Sequence, residues 1–147
     1  MRAEDMAAAL ARRFEGLYLR PYLCPAGVPT IGYGAAYYED GTPVRLTDPP
    51  ITRARAEALL LHMVRTIYLP AVLRLCPSID SPSRAAALAD FAFNLGTGNL
   101  RASTLRKQVN AQDWDAARLE LMKWVRAGGR VLRGLVIRRQ AEGEMLG

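Results

Sequence analysis

One short stretch holds the residues best able to do chemistry: Glu15-Gly-Leu-Tyr-Leu-Arg-Pro-Tyr-Leu-Cys24-Pro-Ala-Gly-Val-Pro-Thr30-Ile-Gly-Tyr-Gly34. Cleavage of a glycosidic bond needs an acid to protonate the leaving sugar oxygen. It also needs a group across the ring to position water or attack the sugar. Glu15 can be that acid if partial burial at the base of a cleft raises its pKa and keeps it protonated near neutral pH. A glutamate at a helix end is more often a solvated surface residue, and on chemistry alone both readings stand. Thr30 has good strand propensity and reads equally as a β residue. Gly32 and Gly34 let the backbone turn or approach a sugar closely.

The elements that must carry these residues follow from periodicity and punctuation. Met6, Leu10 and Phe14 recur every four residues and predict a first helix over Ala3–Phe14, with Glu15 at its exit and Gly16 as the stop. Residues 17–50 are dense in proline, glycine and tyrosine, which breaks helices and suits short hairpins, with Asp40-Gly41 as a turn. Thr52 caps a long linking helix over about 52–76, kinked or split at Pro70 and ended by Cys76-Pro77. Ser81-Pro82 opens the next helix, whose buried face is Leu88, Phe91, Ala92 and Leu95, stopped by Gly96 and Gly98. Further helices are expected over Thr104–Asn110, Asp113–Ala127 and Gly134–Leu146. Trp114, Ala117, Leu121, Trp124 and Val125 line one side of the middle one. The expected architecture is α+β, in one domain over 1–147. It has a small β lobe at 17–50 and a helical lobe at 81–147. A cleft between two lobes suits an extended polymer.

Composition narrows the function. Half the residues are hydrophobic, so the chain packs a core rather than remaining disordered. The net charge of +6 favours an anionic partner without choosing among nucleic acid, lipid and cell wall. Two cysteines, Cys24 and Cys76, are too few for a disulfide scaffold and lack CxxC spacing. A lone histidine, His62, argues against a His-based metal site or a Ser-His-Asp triad and reads as structural. No cofactor or metal is expected. The N-terminal run lacks a signal peptide's apolar core, and no apolar run is long enough to span a bilayer. The expectation is synthesis in the bacterial cytoplasm as a monomer without stable membrane insertion. A target beyond the membrane then requires a separate factor for passage.

The pattern Glu15, eight residues, Cys24, five residues, Thr30, followed by Ile-Gly-Tyr-Gly, resembles the lysozymes of tailed phages, glycoside hydrolase family 24. Later segments resemble the same family in the same order: Asp90-Phe-Ala-Phe-Asn-Leu-Gly-Thr-Gly-Asn99, Ser103-Thr104-Leu105, and Ala127 to Arg139 with Glu142 beyond. The resemblance implies a lysozyme-like fold and hydrolysis of the β-1,4 bond between N-acetylmuramic acid and N-acetylglucosamine in peptidoglycan, causing host lysis. It implies that Glu15 is the general acid, that Cys24 holds the position of the second catalytic group, and that Thr30 positions the attacking water. It extends the binding surface to Gly34, Phe93 and Asn94, whose amide suits an N-acetyl group.

Two departures matter. Cys24 stands where many members have aspartate. A thiol of ordinary pKa, about 8.5, is mostly neutral at pH 7 and a poor electrostatic partner, whereas a thiolate can be base or nucleophile. Ala35 stands where many members have histidine, which removes whatever hydrogen bond that ring makes. The C-terminal cations Arg126, Arg130, Arg133, Arg138 and Arg139 have several readings. Arg138 can pair with Glu142 four residues on, Arg138 or Arg139 can reach Glu15, and the others can draw the protein to anionic wall polymers. A lytic transglycosylase, a nucleic-acid-binding helical module and a wall-binding protein without activity are the competing classes. The threonine spacing favours hydrolysis over the first. The second leaves the β segment without a role, and no specific nucleic acid is expected.

Overall fold

The computed structural model describes residues 1–147. Helix α1 (Ala3–Phe14) buries Ala7, Ala8, Leu10 and Ala11, while Met6 and Phe14 are half-buried. Strands β1 (Tyr18–Leu23) and β2 (Pro29–Gly32) form an antiparallel hairpin, with Tyr22 opposite Thr30 and a register shift between Tyr18 and Tyr22. Single bridges, Ile31 to Ala35 and Tyr37 to Pro43, extend this small sheet. Asp40-Gly41 turns the chain as expected: Gly41 has φ +86°, and the Thr42 N–H donates to Asp40 Oδ1 at 2.9 Å. Ala35 is fully buried, so the position fills core rather than presenting a polar group.

A helical rod follows: α2 (Arg53–Met63), a π turn (Val64–Tyr68) and α3 (Leu69–Leu75). Thr52 caps it, accepting from the Arg55 N–H at 3.1 Å. The disruption expected at Pro70 takes the form of the π turn. Pro70 has no N–H to give to the Thr66 carbonyl, and just ahead of it the Leu69 N–H reaches five residues back to Val64. By length and composition alone this rod is apolar enough to cross a bilayer, contrary to the sequence expectation. Instead Ala56, Leu59, Leu60, Val64, Val72 and Leu75 pack in the core.

Helix α4 (Pro82–Leu95) starts at Ser81, whose hydroxyl accepts from the Arg84 N–H at 3.2 Å, and ends at Gly96 with φ +95°. It is the axis of the fold. Every residue from Ala85 to Ala92 is buried, because α1, α3 and α8 surround it. The expected single face at Leu88, Phe91, Ala92 and Leu95 is therefore too narrow, and Leu95 itself is only half-buried. The short α5 (Thr97–Ala102), not anticipated across the Gly96 and Gly98 stops, leads to α6 (Thr104–Asn110).

Helix α7 (Trp114–Leu121) is shorter than the expected Asp113–Ala127. Past its end, β3 (Arg126–Ala127) pairs with β4 (Arg130–Val131) across Gly128-Gly129, at φ +59° and +78°. A Gly-Gly pair supplies the left-handed backbone that a two-residue hairpin turn needs, and this outweighs the helical spacing. Trp124 then packs edge-on against Phe91, centroids 5.3 Å apart. Helix α8 (Arg133–Leu146) closes the fold against α4 and α7.

Phe91 is fully buried at the centre of this packing. Phe91→Ala should cost about 3–5 kcal/mol of unfolding free energy, read from urea denaturation.

Candidate active site

Glu15 ends α1. Its backbone is extended (φ −92°, ψ 141°) while its N–H still closes the helix on the Ala11 carbonyl at 2.8 Å. The chain turns away there, and the carboxyl is left about a quarter exposed. Arg138 of α8 meets it: Nη1 donates to Glu15 Oε1 at 3.0 Å. The same guanidinium donates from Nε to Asp90 Oδ2 at 2.9 Å and from Nη2 to Asp90 Oδ1 at 2.8 Å. Asp90, on α4, is fully buried, and the Arg138 side chain is 4% exposed. This two-pronged pairing fixes the guanidinium plane and so the direction from which it reaches Glu15. Burial works against the Arg138 charge, but Asp90 first and then Glu15 outweigh it and hold its pKa above the usual value.

The expected Arg138–Glu142 pair does not form, because Asp90 and Glu15 occupy Arg138. Glu142 pairs instead with Arg139, three residues back. Arg139 Nη2 donates to Glu142 Oε2 at 2.8 Å and to Asn94 Oδ1 at 2.9 Å. Arg139 Nε and Glu142 Oε1 approach to 2.7 Å without the angle of a hydrogen bond. Both side chains are fully buried. Burial pushes the Glu142 carboxyl well up, and the Asp90 carboxylate facing it adds to the shift; Arg139 opposes it.

Cys24 follows β1 at the mouth of the β1–β2 turn and is half-buried. The Val28 N–H, then the Ala26 N–H, the Thr30 hydroxyl and the Gly27 N–H bear on its sulfur and lower its pKa against a smaller opposing effect of burial. Thr30 is buried, and its hydroxyl donates to the Val28 carbonyl at 2.8 Å. One hydroxyl has one proton, so Thr30 gives it either to the Val28 carbonyl or to the Cys24 sulfur, and while Val28 holds it the oxygen can only accept. Tyr22 feels both candidate groups. Burial raises its phenol pKa, and the charges of Cys24 and Glu15 are among the smaller causes. Tyr68 also senses Glu15, and its ring packs on Phe93 with centroids 5.0 Å apart. Cys76 is buried, its thiol pushed up to about 11. Both cysteines are free.

A cavity of about 370 Å³ is lined by Phe14, Glu15, Asn94, Leu132, Gly134, Leu135 and Arg138. Asn94 thus shares a cavity with Glu15. Gly34 does not. It lines a separate cavity of about 440 Å³ with Tyr37, His62, Ile67 and Tyr68, and of these Tyr68 feels the Glu15 charge. His62 is accordingly half-buried on a cavity wall rather than in the core. The largest cavity, about 810 Å³, lies between α7 and α8 and touches none of Glu15, Cys24 and Thr30. Size is a weaker guide here than the convergence of charged groups. Sequence reasoning gave Asp90, Tyr22 and Tyr68 no role. A single acid within the apolar run Ala-Ala-Ala-Leu-Ala-Asp90-Phe-Ala-Phe was the signal for a buried, paired carboxylate.

The mixed α+β fold, with a carboxyl at the end of the first helix facing an arginine of the last, defines a lysozyme-type hydrolase. Residues 12–142 match the family model described as Phage lysozyme, and the chain belongs to that family. It is 34% identical, over 97% of its length and 95% of the relative's, to the endolysin of Acyrthosiphon pisum secondary endosymbiont phage 1. It is 37% identical to the endolysin of Bacillus phage B103, but spans about half of that relative's length (49%). Among solved structures, the endolysin from Escherichia coli O157:H7 phage FAHEc1 superposes with a TM-score of 0.85 at 29% identity, covering 99% of this chain and 93% of that one.

Two outcomes follow from the geometry. Iodoacetamide at pH 7 should label Cys24 and spare Cys76 in the folded protein, because a lowered pKa keeps thiolate present below the usual thiol range while Cys76 is buried and protonated. Peptide mass mapping reads this directly. Asp90→Ala should destabilise the fold by about 3–5 kcal/mol, since it leaves Arg138 buried with only Glu15, and chemical denaturation measures the loss.

Proposed function

We propose that the protein is an endolysin that hydrolyses the β-1,4 bond between N-acetylmuramic acid and N-acetylglucosamine in peptidoglycan and so lyses the host. The observation that carries this reading is the Glu15 carboxyl, at the end of α1 and open to a cavity, held from behind by a buried Arg138. Glu15 donates its proton to the glycosidic oxygen as the bond to the sugar breaks. Cys24 is the second catalytic group, and its lowered pKa favours the thiolate form that can act as a base. Thr30, its own proton on Val28, accepts a hydrogen bond from the attacking water. The water adds to the anomeric carbon and its proton returns to the protein, leaving a free reducing end.

The Asn94 carbonyl oxygen accepts from Arg139, so its amide N–H groups remain for a sugar carbonyl. Phe93 supports Tyr68, which lines the Gly34 cavity, and Gly34 offers backbone without a side chain. Residues 1–147 act as one catalytic domain, in which α1, α4 and α8 line the Glu15 cavity and the β1–β2 hairpin carries Cys24 and Thr30. The reading places synthesis in the host bacterial cytoplasm and action on the wall beyond the membrane, with passage assisted by a separate factor.

The test is release of reducing ends from purified peptidoglycan, with products weighed by mass spectrometry. Glu15→Gln should fold normally and lose activity by about 10²–10⁴-fold. Reducing muramic acid ends from the unsubstituted protein support the reading. Products lighter by one water would instead show transglycosylation, and inactivity on walls of several chemotypes would sink hydrolysis. Alkylation of Cys24 should also inhibit; full activity after complete modification would remove Cys24 from the mechanism.

A further inference from the structure

Arg139 does not line the Glu15 cavity, yet one of its hydrogens ends on a residue that does. Its side chain is fully buried, as is that of Glu142 three residues on along α8. Nη2 carries two hydrogens. One goes to Glu142 Oε2 at 2.8 Å and the other to Asn94 Oδ1 at 2.9 Å. Nη1 reaches the Trp124 carbonyl at 3.4 Å, and the guanidinium carbon lies 5.3 Å from the centre of the Phe91 ring. Partners on α8, on α4 and past the end of α7 therefore hold the guanidinium. Without Glu142 it would be a buried cation with no carboxylate beside it, so Glu142 is what lets Arg139 stand there.

Asn94 is half-buried and lines the cavity with Glu15 and Arg138. Arg139 instead lines the cavity between α7 and α8. An asparagine amide has two ends of nearly the same shape, one an acceptor and the other a donor of two N–H bonds. Left alone it can present either. A guanidinium has five donors and no acceptor, so opposite Arg139 only the oxygen fits. No group within the protein takes the Asn94 N–H bonds, and the nitrogen is not buried.

A fixed amide matters only to certain ligand atoms. A sugar hydroxyl both donates and accepts, so it matches either end and gains nothing from the orientation. A carbonyl oxygen only accepts and is matched by the N–H end alone. We propose, resting on the hydrolase reading above, that Arg139 anchored by Glu142 is a positioning residue for substrate: it holds the Asn94 amide with its N–H groups toward the glycan, so that the site takes an N-acetyl sugar by its carbonyl oxygen. Arg139 itself touches no sugar.

The test measures reducing-end release from peptidoglycan glycan strands, with KM and kcat taken separately. Arg139→Lys keeps a cation for Glu142 but has no fork to bridge Glu142 and Asn94. It should raise KM by roughly fivefold and leave kcat within about twofold, since one hydrogen bond made alike in ground and transition states is lost. Asn94→Ala should raise KM to a similar degree. In the double variant the losses should not add, because Arg139 acts only through the amide. A merely structural Arg139 would add its own loss and lower kcat as well. Melting curves confirm that each variant is folded. A second measurement needs only the unsubstituted protein and NMR. The side-chain N–H pair of Asn94, identified by its absence in Asn94→Ala, should shift on adding the disaccharide of N-acetylglucosamine and N-acetylmuramic acid. It should stay in place with the same disaccharide stripped of its acetyl groups. Unchanged KM in Arg139→Lys, additive losses in the double variant, or an Asn94 pair that ignores the acetylated disaccharide overturns the proposal, while reducing ends from the unsubstituted protein keep the hydrolase reading standing. Absence of those reducing ends overturns that reading and the proposal with it.

Discussion

Arg138 is placed where three elements far apart in sequence meet. It comes from α8, fixes two of its donors on Asp90 of α4, and spends a third on Glu15 at the end of α1. A buried guanidinium is costly unless its hydrogen bonds are met, and here Asp90 meets them with a planar, two-point fit. The consequence is geometric. Once Asp90 takes two of the five N–H donors and sets the guanidinium plane, the directions of the other three are fixed, and Glu15 lies on one of them. The helix end, the axis of the core and the last helix are thus locked to one another through a polar centre, while apolar packing around α4 supplies the bulk of the stabilisation.

Arg139 builds a second polar layer beside the first, toward Glu142 and Asn94. Consecutive residues on a helix point about 100° apart, so Arg138 and Arg139 address different partners. The layers touch where Glu142 faces Asp90, which together with burial favours keeping a proton on Glu142. Arg138 and Asn94, which line the cavity with Glu15, are therefore held by buried partners rather than left as loose surface side chains. The environment of Cys24 is built differently. The β1–β2 turn bends so that backbone N–H groups bear on the Cys24 sulfur, and little of that control comes from side chains.

Much of this was legible from the chain. The caps at Thr52 and Ser81, the exit of α1 at Glu15 and the Asp40-Gly41 turn are local decisions, made by hydrogen bonds within three or four residues. The pattern linking Glu15, Cys24 and Thr30 was visible as spacing. Other features were misread because local rules competed. The apolar spacing from Trp114 to Val125 suggested a long helix, but Gly128-Gly129 and the packing of Trp124 on Phe91 favoured a hairpin. The four-residue spacing of Arg138 and Glu142 suggested a surface pair, but both face inward, and there the stronger partners are on other elements.

The sequence by itself determined the starts of the helices capped at Thr52 and Ser81, the exit of α1 at Glu15, which segment could not be helical, and which residue types were available for acid chemistry. Those are properties of short windows, set by backbone sterics, caps and periodicity. Only the tertiary structure decided which arginine reaches Glu15, that Asp90 stands behind it, and that Gly34 and Asn94 line two cavities rather than one. Those facts depend on contacts between residues up to 123 positions apart, and no local rule chooses among the possible partners of a charge until the core has fixed which of them face each other.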